Sequence, residues 1–567
     1  MEERIRQVVG EALAELGAEG ASFSVERPAA LAHGDYATNA GLAAAKALGM
    51  KPQEVALRIQ GKLQAALGAD ASDVSIAGPG FVNVTLSADA VHKTLADAIA
   101  AGDAWGRVKE NANARRVMVE YGNPNPFKEM HIGHLMSAIV GEATARLAEA
   151  SGAHLIRDTF GGDVGPHVAK ALWALRQKGV TDIASAKEIG DAYVHGSNAY
   201  EESEAAHQEI DELNTLIYTV VGAQDDEQAL AALSESDREL LALWRKGREV
   251  SMEEFRRIFA LLDAKFDYVF YDSDTTKGGM DAVMDGVEKG IFEKSDGAIV
   301  YKGEKKGLHT LVFITSRGTP TYETKDIGLA FLKEERVQTD EIIIVTAVEQ
   351  VGHFEVVLAA LEDIAPLVAK KMHHVAHGLL RLPDGKMSSR KGNIIKGAEL
   401  IRMMIEKAAE KNPDPLVAEA VGIGAIKYMI LRQSPGQDVV FDIEKSLSLD
   451  GDSGPYLQYA VVRAKSVIEK AEREGSMADA GAPDAPYVLA RLIARFPEVV
   501  ARAASERAPQ QLVQYLTQLA GEWNSFYAQE RIVGGDYQAH KVALARAFVC
   551  AMENGLALLA IPVPSQM

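Results

Sequence analysis

Two short stretches of this 567-residue chain carry side chains whose types and spacing can do chemistry. The first, HIGH at residues 131–134, sets His131 and His134 three apart with Gly133 between them. It follows a Gly/Pro/Asn loop (YGNPNPFKEM) and opens an Ala-rich helical pattern. A helix N-terminus presents unpaired backbone N–H groups and a partial positive charge, so it suits phosphate. Residues three apart share a face, and a glycine between them admits a close approach to the backbone. The motif reads either as a cradle for the phosphates and ribose of a nucleotide or as a pair of capping histidines. The second stretch, LPDGKMSSRKGNIIK (382–396), is a Pro/Gly-entered loop holding Lys386, Met387, Ser388, Ser389, Arg390 and Lys391. Cations on such a loop suit a triphosphate whose charge shifts toward pyrophosphate as its α-phosphate is attacked. A solvated basic turn is the simpler reading. It is not a P-loop, because no glycine stands five residues before Gly385 and Met, not Ser or Thr, follows Lys386.

These residues need elements to position them. RVMVEYG (116–122) reads as a short buried strand feeding the loop and then a helix that begins near His131. HLIRDTFGGDVGPHVAKALWAL repeats the logic of strand, Gly-rich turn and helix. Alternating strands and helices imply parallel pairing through crossovers, hence an α/β, Rossmann-like nucleotide-binding sheet. From about 170 to 265 the pattern is helical and highly charged, as in an insertion. The sheet pattern resumes with GAIVYKG, TLVFIT and EIIIVTAV, the last a continuous apolar run suited to a strand covered on both faces. Ahead of this region lies a small α/β unit: a helix over 2–17, a turn at Gly34-Asp35-Tyr36, two amphipathic segments, and DVSIAGPGFVNVTLS as strand, turn, strand. The charged link KENANARR (109–116) closes it. After GKMSSRKGN the chain is nearly all helix to Met567, interrupted by a Gly/Ala/Pro loop at 472–487. The expected division is 1–108, 109–396 and 397–567.

Composition narrows the partners. A single cysteine, Cys550, excludes an intramolecular disulfide framework and a Cys-rich structural zinc site, and points to a reducing cytoplasm. The N-terminus alternates acids and apolar residues rather than showing a basic start and an apolar core. The longest apolar runs fall short of the roughly 20 residues that span a bilayer, so no membrane is expected. With 60 Lys+Arg against 80 Asp+Glu, the net charge of −20 argues against a non-specific nucleic-acid binder, whose affinity needs a broad basic surface. A structured RNA held through local basic patches stays possible, and the acidic remainder would suppress wrong RNAs.

HxGH after the first strand, with K-M-S-S about 250 residues later, resembles the class I aminoacyl-tRNA synthetases. The likeness sharpens to the arginyl-tRNA synthetase family. VEYGNPNPFKEMHIGHLMSAIVGEATARL is similar to its signature, TYETKDIGLAFLK (321–333) to its Thr-Tyr-x-Thr-x-Asp-Ile segment, and EQVGHF (349–354) to its Gln-x-x-His-Phe. HGDYATN and AGPGFVNVTLS resemble its N-terminal domain, and SGPYLQYAVVRAKSVI (453–468) the first helix of its anticodon-binding domain.

The resemblance implies an enzyme that takes ATP with Mg²⁺, L-arginine and tRNA(Arg), and works as a monomer. It would form arginyl-adenylate only once tRNA is bound, and its N-terminal domain would touch the outer corner of that tRNA. It implies that His131, Gly133, His134, Lys386, Met387, Ser388 and Ser389 hold ATP. A guanidinium is planar, always charged and carries five donors, so its pocket needs carboxylates and neutral acceptors. By resemblance Asp326 and Tyr322, with Gln350 nearby, bind that end, while Glu120, Asn125 and His134 hold or adjoin the ammonium and carboxylate.

There are departures. Ser389 stands where the class pattern has a second lysine, and Lys128 looks like its substitute, sharing the electrostatic catalysis with Lys386, His131 and His134. Val164 replaces a tryptophan in GGDVGPH, which leaves Asp163 a weaker candidate. YAVVRA also departs from the helix signature of the anticodon domain. Trp523, Phe526, Tyr527 and Arg531 offer aromatic and cationic groups that either stack on anticodon bases or build the helical core. A non-catalytic RNA-binding paralogue and a small-molecule nucleotidyltransferase are the alternatives. The second would leave the flanking regions unexplained by domain size.

Overall fold

The computed structural model describes every residue except 29, 112, 382–395 and 476–481. It separates into two compact units. One gathers Met1–Arg107, Tyr459–Ala501 and Tyr515–Gly555; the other gathers Val108–Gln458, Arg502–Gln514 and Leu556–Met567.

The second unit is built on five parallel strands: β1 (Arg116–Glu120), β2 (His154–Gly161), β3 (Tyr268–Tyr271), β4 (Glu341–Ala347) and β5 (Met372–His377). Their order in space is β5-β4-β1-β2-β3. Interior parallel strands are covered on both faces and so tend to be apolar, as the buried run Ile342–Val345 of β4 is. The chain leaves β1 toward one side and returns at β4 on the other, so the direction of winding reverses between them. In such sheets the crevice at the carboxyl ends of the two strands is where ligands bind.

Helix α1 (Ile132–Ala150) follows β1, and α2 (Pro166–Gln177) follows β2. A long helix, α3 (Glu235–Leu261), ends the insertion; α4 (Tyr322–Arg336) precedes β4, and α5 (Val351–Ile364) follows it. Gly141 lets α1 lie directly on the chain after β1, since a Cβ there would stand 2.1 Å from the Tyr121 side chain. Helices of the 170–265 region pack around their own core of Val164, Leu172, Ile217, Leu240 and Trp244.

Three parts of the sheet reading need correction. GAIVYKG and TLVFIT do not join the parallel sheet. Ala298–Lys302 pairs antiparallel with both Thr310–Ile314 and Glu293–Ser295 in a separate three-stranded sheet. The short turn at Gly303–Lys306 allows a hairpin and is too brief for a parallel crossover of a dozen or more residues. The four-residue apolar run YVFY, just past the helical 170–265 stretch, is the edge strand β3, its first two residues exposed, and the sequence reading does not pick it out. MHHVAH is the other edge strand, its apolar pattern interrupted by histidines.

In the first unit, Val25–Glu26, Tyr36–Thr38, Phe81–Leu86 and Ala71–Ala77 form a four-stranded antiparallel sheet in that order. Gly34, at φ 88°, makes the turn before Tyr36. Buried Asp35 accepts the Leu86 N–H at 2.8 Å and an Arg491 N–H at 2.7 Å. The Tyr36 hydroxyl donates to Glu498 at 2.6 Å and accepts from Arg27 at 2.7 Å, and Arg27 donates to Glu498 at 2.6 Å. Segments far apart in sequence are thus joined by buried charge.

Trp523 and Phe526 are core residues, and Trp523 lies against Phe548 with centroids 4.7 Å apart; Tyr527 is 42% exposed. Tyr527 receives the guanidinium of Arg463 over its ring at 5.1 Å, and Arg531 is exposed. Among the described residues no helix is long and apolar enough to cross a membrane.

Candidate active site

The two histidines sit where the sequence puts them, at the start of α1, and they cap it. His131 is the N-cap, its Nδ1 accepting the Gly133 N–H at 3.1 Å, while His134 Nδ1 accepts the His131 N–H at 3.3 Å. The rings stack with centroids 3.7 Å apart. The room that Gly133 leaves is taken by the His131 ring, which a Cβ would meet at 2.9 Å. Burial, reinforced by the nearby Lys128 cation, pushes His131 down to about 4; burial, then the neighbouring His131 and Lys128, hold His134 well below the usual histidine range. Both rings are therefore neutral at pH 7. With Nδ1 accepting, each carries its proton on Nε2, a donor suited to a nucleotide oxygen.

Lys128 is half-buried, with its ammonium 5.4 Å from the centroid of the Tyr193 ring. It lines a cleft of about 600 Å³ together with Glu129, Lys187, Lys396 and Arg402. The loop that carries it is pinned by its neighbour. Phe127 holds the left-handed backbone value φ 67°, is fully buried, and presses its ring on Gly247 of α3, where a Cβ would stand 2.2 Å away. Its N–H bonds to Ser251 at 3.1 Å. A non-glycine residue at such a φ persists only where its surroundings over-determine it, so the helical insertion positions this loop.

Lys386, Met387, Ser388 and Ser389 lie outside the described residues. The chain that follows them is placed. Lys396 pairs with His131 in an isolated antiparallel bridge and meets Glu129 at 2.6 Å, and the Gly397 N–H bonds to Met130 at 2.9 Å.

Two charged groups, each anchored on α4, hold most of the amino-acid candidates. Glu120, at the carboxyl end of β1, accepts from Asn123 at 2.7 Å and from Lys333 at 2.5 Å. Lys333 also meets Asp158 at 2.7 Å, and Asp158 lies directly across from Glu120 in the β1–β2 register. Burial pushes Asp158 up to about 7, against the pull of the Lys333 ammonium. The second group lies two helical turns earlier, where Asp326 meets His353. Tyr322 is 55% exposed, and its ring is 4.8 Å from the Lys325 ammonium; Lys325 is buried and paired with Asp272 at 2.5 Å. Burial lifts Asp272 to about 7 despite that partner. Asn125 rests against Gly162, where a Cβ would stand 2.4 Å from its Oδ1. Gln350 is exposed in the turn between β4 and α5.

Asp163 is fully buried and satisfied by the Ser273 N–H at 2.9 Å, the Ser273 hydroxyl at 2.8 Å and Arg248 at 3.0 Å. The indole N–H of Trp244 binds its carbonyl at 2.8 Å. These bonds tie β2 to the insertion. Sequence reasoning missed Lys333, Asp158, Lys325, Asp272 and Phe127. Of these, Lys333 alone had a signal, since it stands seven residues after Asp326 and so on the same helix face.

A nucleotide-type crevice at the switch between β1 and β4, a capped histidine pair and carboxylates at the strand ends define the class I aminoacyl-tRNA synthetase arrangement. Three family models match in chain order. The model described as the arginyl-tRNA synthetase N-terminal domain matches residues 3–86, that of the class I (R) tRNA synthetase catalytic domain residues 95–443, and that of the DALR anticodon-binding domain residues 457–567. The arginine–tRNA ligase of Phocaeicola vulgatus is 30% identical over 532 residues, with 86% of each chain covered; that of Bacteroides thetaiotaomicron is 29% identical over 523 residues, with the same coverage. The solved arginyl-tRNA synthetase of Thermus thermophilus is 27% identical, covers all of both chains and superposes with a TM-score of 0.78. That of Plasmodium falciparum reaches the same TM-score over 100% of this chain and 99% of its own, and at 19% identity speaks for the fold alone. The chain belongs to the class I arginyl-tRNA synthetases, and its enzymatic class is that of an arginine–tRNA ligase.

Proposed function

We propose that this protein activates L-arginine with ATP in the crevice between β1 and β4 and passes it to the 3′ end of tRNA(Arg), the activation step waiting for tRNA. The observation that carries the reading is the pair of charged groups gathered on α4, Glu120 of β1 held by Lys333 and Asp326 held by His353, together with the capped histidines at the start of α1 on the chain that leaves β1. Glu120 and Asn125 hold the ammonium and carboxylate end, with His134 beside them, and Asp326 and Tyr322 take the guanidinium, with Gln350 at the rim. His131, Gly133, His134 and the stretch from Lys386 to Ser389 hold ATP.

In the first step an arginine carboxylate oxygen attacks the α-phosphorus and pyrophosphate leaves. Lys128 and Lys386 stabilise the charge that builds on the phosphates, which requires no protein nucleophile and no proton transfer. In the second step a hydroxyl of the terminal tRNA ribose attacks the arginyl carbonyl and AMP leaves. Mg²⁺ bound with ATP would supply charge neutralisation on its phosphates; among the described residues no group of three or more His, Cys, Asp or Glu side chains is placed to hold an ion.

In this reading residues 1–108 contact tRNA, 109–396 catalyse and 397–567 hold the anticodon region. The protein acts as a monomer in the cytoplasm, which sedimentation of the free enzyme tests as a single-chain mass. The decisive experiment offers each common amino acid, labelled, with ATP and total tRNA, and measures acid-precipitable label. Arginine alone should charge, and charging of any other amino acid, or of none, defeats the reading. Pyrophosphate exchange with and without tRNA(Arg) tests the order of events, and full exchange without tRNA removes that part.

A further inference from the structure

The acid assigned to the guanidinium already has a partner. His353, in the first turn of α5, places Nε2 2.5 Å from Asp326 Oδ2 and Nδ1 3.3 Å from Glu323 Oε1. Both ring nitrogens face carboxylates, so both must donate and the ring is an imidazolium. Burial alone would neutralise it, but the hydrogen bonds to Asp326 and Glu323 outweigh burial and raise it to about 10. Burial raises Asp326 against the pull of His353, with the Glu120 carboxylate adding to the rise, and His374 of β5, which burial lowers to about 4, bonds to Thr346 at 2.7 Å.

Charge and exposure together separate this group from the rest of the crevice wall. Buried Asp163 has Arg248 and buried Asp272 has Lys325, one cation for each acid, while Glu120 and Asp158 share Lys333 with all three side chains sealed at 3% exposure or less. At the start of α4 two carboxylates share one cation, which leaves a single negative charge. The side chains of Glu323, Asp326 and His353 stay 14%, 17% and 16% exposed, whereas those of Asp272 and Lys325 are sealed at 2% and 3%. The unbalanced charge is therefore the one that a ligand can reach.

We propose that His353 is the positioning and specificity-determining residue of the amino-acid pocket: it occupies one oxygen of Asp326, turns the other toward the substrate, and leaves the group with one uncompensated negative charge. That charge fits one guanidinium. A neutral isostere such as citrulline would leave the charge uncompensated in a partly dry site, which is the kind of mismatch that discriminates strongly. The inference rests on Asp326 being the guanidinium acid.

Two conservative variants separate the contact with Asp326 from the contact with Glu323. The amide nitrogen of His353→Gln falls near the Nε2 position, and that of His353→Asn near Nδ1. In steady-state aminoacylation we expect both variants, having lost the cation, to raise KM for arginine with KM for ATP unchanged, and His353→Asn, which also loses the contact with Asp326, to raise it about tenfold more than His353→Gln. Equal defects in the two variants, wild-type KM for arginine in both, or a matching rise in KM for ATP would overturn the proposal. A wild-type enzyme that does not charge arginine would instead remove the underlying reading, so the two failures are distinct.

Discussion

At the scale of single residues, the crevice combines groups forced to be neutral with groups forced to be charged. The Lys128 cation stands close enough to depress both histidines. Stabilising charge only as it develops is worth about 3–4 kcal/mol for one well-placed donor. Lys128→Ala should therefore lower kcat for pyrophosphate exchange roughly 100- to 1,000-fold and leave KM for arginine within a few fold; an undiminished kcat would return the work to the Lys386 segment. His131 makes a prediction about pH. Its folded value of about 4 lies below its ordinary 6.5, so the unfolded chain binds the proton more readily between those two values. The stability that the neutral cap contributes is complete above about pH 6.5 and is lost as pH falls toward 4, with a total of about 1–3 kcal/mol. Thermal melts at pH 7.5 and pH 5 should show this loss in the wild type and a smaller one in His131→Asn, which keeps an acceptor at the cap without a basic ring.

At the scale of elements, α4 and α3 do the positioning. One face of α4 presents Tyr322, Asp326 a turn later and Lys333 two turns beyond that, so a single helix sets the spacing between the two charged groups. Helix α3 reaches the loop of Lys128 through Phe127. Gly247→Val would drive a side chain into that ring, and overpacking of this kind costs about 1–3 kcal/mol. Denaturant unfolding should show that loss, and adenylate formation should fall by more than KM for arginine rises, because Lys128 moves with Phe127. Intact adenylate formation would show that the insertion does not place the loop.

Much of this scale was legible in the sequence. The buried strand into HIGH, the helix behind it, the Gly-rich turn after β2 and the apolar β4 all follow from periodicity and turn chemistry. What was not legible depended on register and distance. Asp158 faces Glu120 because β1 and β2 pair in one particular alignment, and no local pattern encodes that alignment. Phe127 looks like one more apolar residue in a Pro-rich loop until Gly247, 120 residues later in the chain, makes room for it.

At the scale of the whole molecule, the unit containing the N-terminal sheet is assembled from three separate stretches of chain. HGDYATN, which resembles a family-specific N-terminal motif, uses Asp35 and Tyr36 to bind Arg491, Arg27 and Glu498 inside this unit. Breaking a buried ion pair from one side costs about 3–5 kcal/mol, since the remaining charge is stranded. Asp35→Asn should therefore destabilise this unit by roughly 3 kcal/mol and open Phe81–Leu86 to amide exchange, while β1 and β4 keep their protection. Uniform loss of protection across the chain would show instead that the two units unfold as one. The same linkage imposes an order on synthesis. Asp35 and Arg491 are 456 positions apart, and at roughly 5–20 residues per second the ribosome delivers the second about 20–90 s after the first. Through that interval the nascent N-terminal sheet waits with an unneutralised carboxylate beside it, and the earliest-made part of this enzyme is among the last to be finished.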